Sequence, residues 1–213
     1  MTKHALSNYD AYLFDWDGTL SHTLDIWLDA CHVVLTEYGV HISRQEIGPR
    51  LGMWGTMLDG VPIDLKPEAQ DKIVAIAHPQ MVHAPLYPGV EDMLASLKAQ
   101  NKKLALITAS AREVIDLVLT HNNLLDMFDL VITSNDVKVN KPDPEGVTFV
   151  LDKFGVDPKR AVMLGDSDKD LGAAQNAGID SILFYPESHK IIHEKTFLES
   201  FKPVRTITDW SEL

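Results

Sequence analysis

The sequence predicts an α/β fold: a parallel sheet with helices on both faces, carrying an inserted all-helical domain. Three observations predict it. Short apolar runs of strand length recur after residue 89, each followed by a stretch of helical period. One further run, 10–15 (DAYLFD), stands near the N-terminus. Between them, residues 20–87 show helical patterning and no alternating strand.

The elements follow in order. After the strand at 10–15, Leu24, Trp27, Leu28, Cys31, Val34, Leu35 and Tyr38 recur at spacings of three and four until Gly39 ends the run. Short helical pieces follow, with a helix expected over 67–81, closed off by Pro85 and Pro88-Gly89. A helix at 90–100 precedes the strand 104–108 (LALIT). Ser110 to Glu113 has the spacing of a capping box, opening a helix with Val114, Ile115, Val118 and Leu119 on its apolar face. A strand near 130–133 leads to a helix entered through Pro144 and closed by Gly155. Strand 161–165, a helix over 169–177 capped by Gly178, strand 181–185 and a last strand near 204–207 complete the set. The expected organisation is a core of residues 1–19 and 88–213, with a helical cap of residues 20–87 inserted after the first strand.

Composition excludes several functions. The 213 residues include 45% apolar and 23% charged residues, which is ordinary for a globular protein. No apolar run approaches the ~20 residues that span a bilayer, and the first ten residues lack a signal peptide's apolar stretch. A net charge of −12 argues against nucleic acid as a partner. The single cysteine, Cys31, excludes an internal disulfide framework and fits a reducing, cytoplasmic setting. A monomer or homodimer is expected.

The chemistry-bearing residues follow the strands. Asp15 and Asp17 come after the first, Thr108 and Ser110 after the second, Lys141 after the third, and Asp166 to Asp170 after the fourth. In a parallel sheet those loops share one edge, where ligands bind. Asp15 and Asp166 are placed to hold a hard cation such as Mg2+. Thr108 offers a hydroxyl to a phosphoryl oxygen, and Lys141 neutralises phosphate charge. A carboxylate nucleophile splits phosphoryl transfer into two easier steps, and a second acid two residues on can shuttle the proton. Gly18 and the turn are expected to bend the chain so that Asp17 reaches the same pocket as Asp15.

The chain resembles the haloacid dehalogenase superfamily of phosphohydrolases, close to its phosphoglycolate phosphatase-like group. Asp15-Trp16-Asp17-Gly18-Thr19, the helical insertion, Thr108, Lys141-Pro142, and Gly165-Asp166-Ser167-Asp168-Lys169-Asp170 with Ala177-Gly178 carry the resemblance in order. It implies a Rossmann-like core and an aspartyl-phosphate on Asp15. Asp17 would be general acid/base and lend its backbone carbonyl to Mg2+; Thr108 and Lys141 would bind the phosphoryl group. Asp166 would ligate the metal directly, and Asp170 through water or by orienting Lys141. Dehalogenases of the superfamily lack the second aspartate, so Asp17 favours phosphate chemistry. Two departures stand out: Ala109 where many relatives have Asn, and Trp16 where smaller residues are frequent, its ring expected to pack.

Specificity is expected in the cap. Arg50 in the loop 48–55 is a candidate for a second anionic group, with Met53 and Trp54 as an apolar wall. The nine histidines show no metal-binding spacing, and His22, His189 and His193 read as loop or helix-surface residues. The expected activity is Mg2+-dependent hydrolysis of a small phosphorylated metabolite, either a phosphoglycolate-like compound or a sugar phosphate. The alternatives are a phosphomutase of the β-phosphoglucomutase type and pyrophosphate hydrolysis on the same frame. A phosphonate hydrolase would need a signature lysine in the cap, which neither Lys66 nor Lys72 supplies. A signalling receiver is disfavoured by the insertion after the first strand.

Overall fold

The computed structural model describes residues 9–52 and 56–213. Six strands, β1 (Ala11–Phe14), β2 (Lys103–Ile107), β3 (Leu130–Ile132), β4 (Ala161–Gly165), β5 (Asp180–Phe184) and β6 (Arg205–Ile207), form one sheet in the order β3-β2-β1-β4-β5-β6. Every pairing is parallel. The helices are α1 (Leu24–Glu37), α2 (Arg44–Gly52), α3 (Lys66–Met81), α4 (Val90–Ala99), α5 (Arg112–His121), α6 (Glu145–Phe154), α7 (Asp168–Ala177) and the short α8 (Lys195–Glu199). The chain therefore has a parallel, Rossmann-like core with inserted helical segments forming a cap domain.

Alternation along β1 explains its central place. Tyr12 and Phe14 enter one hydrophobic cluster with Leu94, Leu97, Ile115 and Val118 of α4 and α5. Ala11 and Leu13 enter another with Val147 and Val150 of α6 and Ala173 and Ala174 of α7. Successive side chains of a strand point to opposite faces, so a strand covered on both sides must be apolar throughout. The cap helices have a cluster of their own, in which Leu28, Cys31, Val34 and Leu35 of α1 meet Ile47 of α2 and Ala69, Ile73 and Ala77 of α3. Trp16 is fully buried in the core, as expected of a packing residue.

Strand order places the site. The chain crosses from β1 to β2 on one side and returns at β4 on the other, so the sheet has its switch point between β1 and β4. A crevice opens at the carboxyl ends there, and Asp15 and Asp166 follow those two strands.

One local expectation is corrected. Ser110 does not cap α5: the N-cap is Ala111 with no side-chain bond. The Arg112 backbone N–H is taken instead by Asn135 Oδ1 at 2.9 Å, from the loop after β3. Ser110 is thereby released for other work.

Candidate active site

The turn after β1 is built to aim two carboxylates. The Trp16 carbonyl accepts from the backbone N–H groups of Thr19, Leu20 and Ser21, and the Gly18 N–H donates to the Ser21 carbonyl. Gly18 has φ +77°, a conformation costly for any residue with a Cβ. A Cβ there would lie 2.6 Å from Asp166 Oδ2, so glycine is also what lets β4's aspartate approach.

Asp15, Asp166 and Asp170 are buried, and one ligand oxygen from each lies within 4.8 Å of the others. Lys141 reaches into this cluster from the loop after β3. Its Nζ donates to Asp15 Oδ1 at 2.6 Å, Asp170 Oδ1 at 2.7 Å and the Ile107 carbonyl at 2.7 Å. An ammonium has three protons, and all three are used. Asp170 is held on its other side, Oδ2 accepting from the Ser167 hydroxyl at 2.6 Å and backbone N–H at 3.1 Å. Gly165 makes this possible, since a Cβ there would meet Asp170 Cβ at 2.3 Å.

Asp17 stands apart from the cluster. Its Oδ2 accepts from the Ser110 hydroxyl at 2.7 Å, whereas its Oδ1 is buried without a hydrogen-bond partner. Thr108, also buried, accepts the Ser110 backbone N–H on Oγ1 at 3.0 Å. Ser110, expected at the substrate, thus grips the second aspartate. Arg50 donates to the Asp59 carbonyl at 2.8 Å within the cap, and Trp54 and Met53 lie outside the described residues.

The electrostatics differentiate these acids. Burial, then the charge of Asp170, pushes the Asp15 carboxyl well above its usual range against the pull of Lys141. Burial also raises Asp17, with the Ser110 hydroxyl opposing. Asp166 goes the other way: burial works to raise it, but contacts from His193 and Thr19 help bring it below the usual carboxylate range. Lys141 stays charged because Asp15 and Asp170 outweigh its own burial. Three carboxylates around one ammonium leave an excess of buried negative charge. An all-oxygen donor set of that charge fits a hard divalent cation.

His189 and His193, expected as loop or helix-surface residues, do lie outside the α-helices, but both are turned inward against Asp166. His189 is fully buried, with Nε2 2.9 Å from the Tyr87 hydroxyl and Nδ1 3.8 Å from Asp166 Oδ2. The His193 side chain is 9% exposed, with Nε2 3.4 Å from the same oxygen. Both follow β5, whose carboxyl end lies on the active edge, and that position was the available signal. His22 is half-buried and stacks on Tyr87 with ring centres 3.6 Å apart.

Comparison with known proteins agrees with this geometry. The haloacid dehalogenase-like hydrolase family model matches residues 12–184. A pyrophosphatase PpaX of Bacillus cereus is 28% identical over 206 residues, covering 94% of this chain and 93% of its own. A Bacteroides fragilis structure named for the haloacid dehalogenase-like hydrolases superposes with a TM-score of 0.83 at 26% identity, covering 96% of this chain and 99% of that one. A hydrolase of Deinococcus radiodurans with bound phosphate and sodium has the same fold, with a TM-score of 0.76 at 24% identity, covering 97% and 93% of the two chains.

Proposed function

The chain belongs to the haloacid dehalogenase-like hydrolase family, and from that premise we propose that it is a Mg2+-dependent phosphatase acting on a small phosphorylated metabolite. The observation that carries the proposal is the buried cluster of Asp15, Asp166 and Asp170 closed by Lys141.

Asp15 is the nucleophile. With Oδ1 held by Lys141, Oδ2 is the oxygen left to attack phosphorus, forming an aspartyl-phosphate as the bond to the leaving oxygen breaks. Asp17 gives its proton to that leaving oxygen from the unpaired Oδ1, and its raised pKa suits it to carry the proton there. It then takes a proton from the water that attacks the acyl phosphate, which restores Asp15. Ser110 keeps Asp17 aimed through both steps. Thr108 offers its hydroxyl proton to a phosphoryl oxygen, and Lys141, whose three protons hold Asp15, Asp170 and the Ile107 carbonyl, binds the phosphoryl group through its charge. Asp15, Asp166 and the Asp17 carbonyl would hold the Mg2+, with Asp170 acting through water or through Lys141. Bound there, Mg2+ supplies charge stabilisation to the transferring phosphoryl group.

The cap closes over this site and reads the leaving group, and we assign residues 20–87 to it. Trp27 of α1 and His78 of α3 act on Asp17 from the cap, their rings 6.0 Å apart and near perpendicular. Burial lowers the pKa of His78, so this wall is neutral. A neutral aromatic wall favours an organic leaving group, such as a glycolate or sugar alcohol. Arg50, whose guanidinium has donors beyond the one given to the Asp59 carbonyl, is the cap cation we assign to a second anionic group on such a substrate, and Trp54 is assigned with it from the sequence alone.

A second reading is hydrolysis of inorganic pyrophosphate, favoured by the names of the Bacillus relatives. No helix among the described residues is long and apolar enough to cross a membrane. We place the enzyme in the cytoplasm, where Cys31 stays reduced.

The deciding experiment is phosphate release by the purified protein with Mg2+, screened over phosphoglycolate, sugar and nucleoside phosphates and pyrophosphate. A phosphomonoester is expected to lead. Pyrophosphate as the best substrate would establish the second reading, and sugar phosphate isomerised without phosphate release would indicate a mutase. Asp15→Asn should abolish turnover with an unchanged circular dichroism spectrum; full activity in that variant would remove the nucleophile.

A further inference from the structure

The segment after β5 joins the cap to the Asp166 carboxylate. Glu187–Ile191 forms a short 3-10 stretch, and the chain continues through Ile192 and His193. Its apolar side belongs to the cap: Ile192 is buried in the cluster built by Leu28, Val34, Leu35 and Ile47, with Ile191 packed against it. The contact is backbone on backbone, since a Cβ on Gly48 of α2 would lie 2.0 Å from the Ile191 carbonyl oxygen. The polar side of the same segment faces Asp166. His193 Nε2 is 3.4 Å from Asp166 Oδ2, and the buried, unpaired Nδ1 of His189 is 3.8 Å from it. The strap is pinned from the core by the Tyr185 hydroxyl, which donates to the His193 carbonyl at 2.7 Å.

We propose that His193 is a positioning residue for Asp166, carried on a strap seated in the cap, so that seating of the cap at Gly48 tunes the affinity of the site for its cation. Asp166 Oδ1 accepts from the Thr19 hydroxyl at 3.1 Å. A carboxylate held at one oxygen still turns about its Cβ–Cγ bond; His193 on Oδ2 gives the second point that fixes it. Partners of this kind, one layer behind a metal ligand, change affinity about 10–100-fold when removed. His189 supports the arrangement: with Nε2 accepting from Tyr87, the neutral ring turns its Nδ1–H toward the same oxygen. His193 moves with residues 191 and 192, so a shift of α2 is transmitted to Oδ2 without passing through the phosphoryl site.

The proposal rests on Asp166 as a cation ligand, and the test separates the two. MgCl2 binding is measured by isothermal titration calorimetry on the substrate-free protein, with Mn2+ binding by electron paramagnetic resonance as a second probe. His193→Ala should weaken binding at least about 10-fold. His193→Gln, whose amide N–H can still donate, should recover most of that loss. Gly48→Ala, distant in sequence from Asp15, Asp17, Asp166 and Asp170, should also weaken binding. Unaltered binding in Asp166→Asn would remove the ligand assignment itself. Strong loss in Asp166→Asn with binding within twofold of wild type in His193→Ala would overturn the positioning role. Equal losses in His193→Ala and His193→Gln, matched by equal losses in thermal stability, would show a merely structural contact and overturn it too. If Gly48→Ala fails to fold, Ile192→Val loosens the same seat with a smaller expected loss, and unchanged affinity there would overturn the link to the cap.

Discussion

Replacing Lys141 with Met tests whether the buried charges are balanced as the contacts imply. The Lys141 side chain is 7% exposed, and its ammonium spends all three protons, on Asp15, Asp170 and the Ile107 carbonyl. Methionine has similar length, keeps the apolar stem and removes only the charge and its hydrogen bonds. Two carboxylates within 2.7 Å of the lost nitrogen then lack their counter-charge, although Asp170 keeps its bonds from Ser167. Breaking a buried pair in this way costs about 3–5 kcal/mol, which in a protein of this size lowers Tm by roughly 6–20 °C. In Lys141→Met/Asp170→Asn one of the stranded charges is gone as well, so the double variant should be more stable than the sum of the single changes predicts. Charge-assisted hydrogen bonds of this kind are worth about 1.5–3 kcal/mol, and the coupling should fall in that range. The assay is urea unfolding of the four proteins in EDTA at pH 7, with m values checked for constancy. Additivity within about 0.5 kcal/mol would refute the reasoning, because residues in one charge network must couple.

Three further outcomes are expected. Gly18→Ala should retain the fold but lose activity about 100-fold, the loss expected when a reacting group is misplaced by about 1 Å, because its Cβ would press on Asp166 Oδ2; steady-state kinetics beside circular dichroism checks this. Burial pushes the Cys31 thiol up to about 12, so a thiol-specific dye should leave the native protein untouched and titrate one group per chain in denaturant. Burial lowers His189 to about 4, and an unfolded histidine titrates near 6.5. The unfolded chain therefore takes the proton first, so stability is full above about pH 6.5, falls as pH drops below it and levels off below about 4, a loss of about 3 kcal/mol at most. Urea unfolding of the EDTA-treated protein across that range should show the slope, and His189→Gln should flatten it.

What was legible in the sequence was local or repeated. Strand-length apolar runs ending in polar groups gave the sheet, and a parallel sheet puts all such ends on one edge, so Asp15, Asp166, Asp170 and Lys141 needed no further information to be brought together. What was hidden depended on contacts between distant segments. Ser110 carries the local pattern of a helix cap, yet Asn135, 23 residues on, takes the exposed N–H of Arg112, and the Ser110 hydroxyl turns to Asp17 across 93 positions. His189 and His193 follow a strand whose end lay on the active edge, but their spacing resembles no metal motif because they act on a carboxylate. Arg50 is bound to the Asp59 carbonyl by the turn of the cap that follows α2, a pairing no periodicity reveals.

The four aspartates divide their work by environment alone. One side-chain type recurs at four positions of a single buried edge, where repulsion would oppose ionising all four. Each therefore needs its own partner, and the partners differ. Asp170 receives Lys141 on one oxygen and Ser167 on the other, which fixes it as a strut for the ammonium. Asp166 receives Thr19 and faces His193, and its pKa falls; it is the carboxylate held ionised, which suits the ligand role proposed for it. Asp15 shares Lys141, yet burial and Asp170 still push it up, so a cation beside it is what allows the free carboxylate a nucleophile needs. Asp17 lies beyond the lysine's bonds, gripped at one oxygen by a neutral hydroxyl; burial raises its pKa, and the Ser110 hydroxyl and the more distant Lys141 charge only oppose that rise. Environments that push the pKa values of like groups apart assign acid, base and ligand. Here the assignment follows from which strand end lends each aspartate its neighbour: a hydroxyl from β2, an ammonium from beyond β3, and an imidazole from beyond β5.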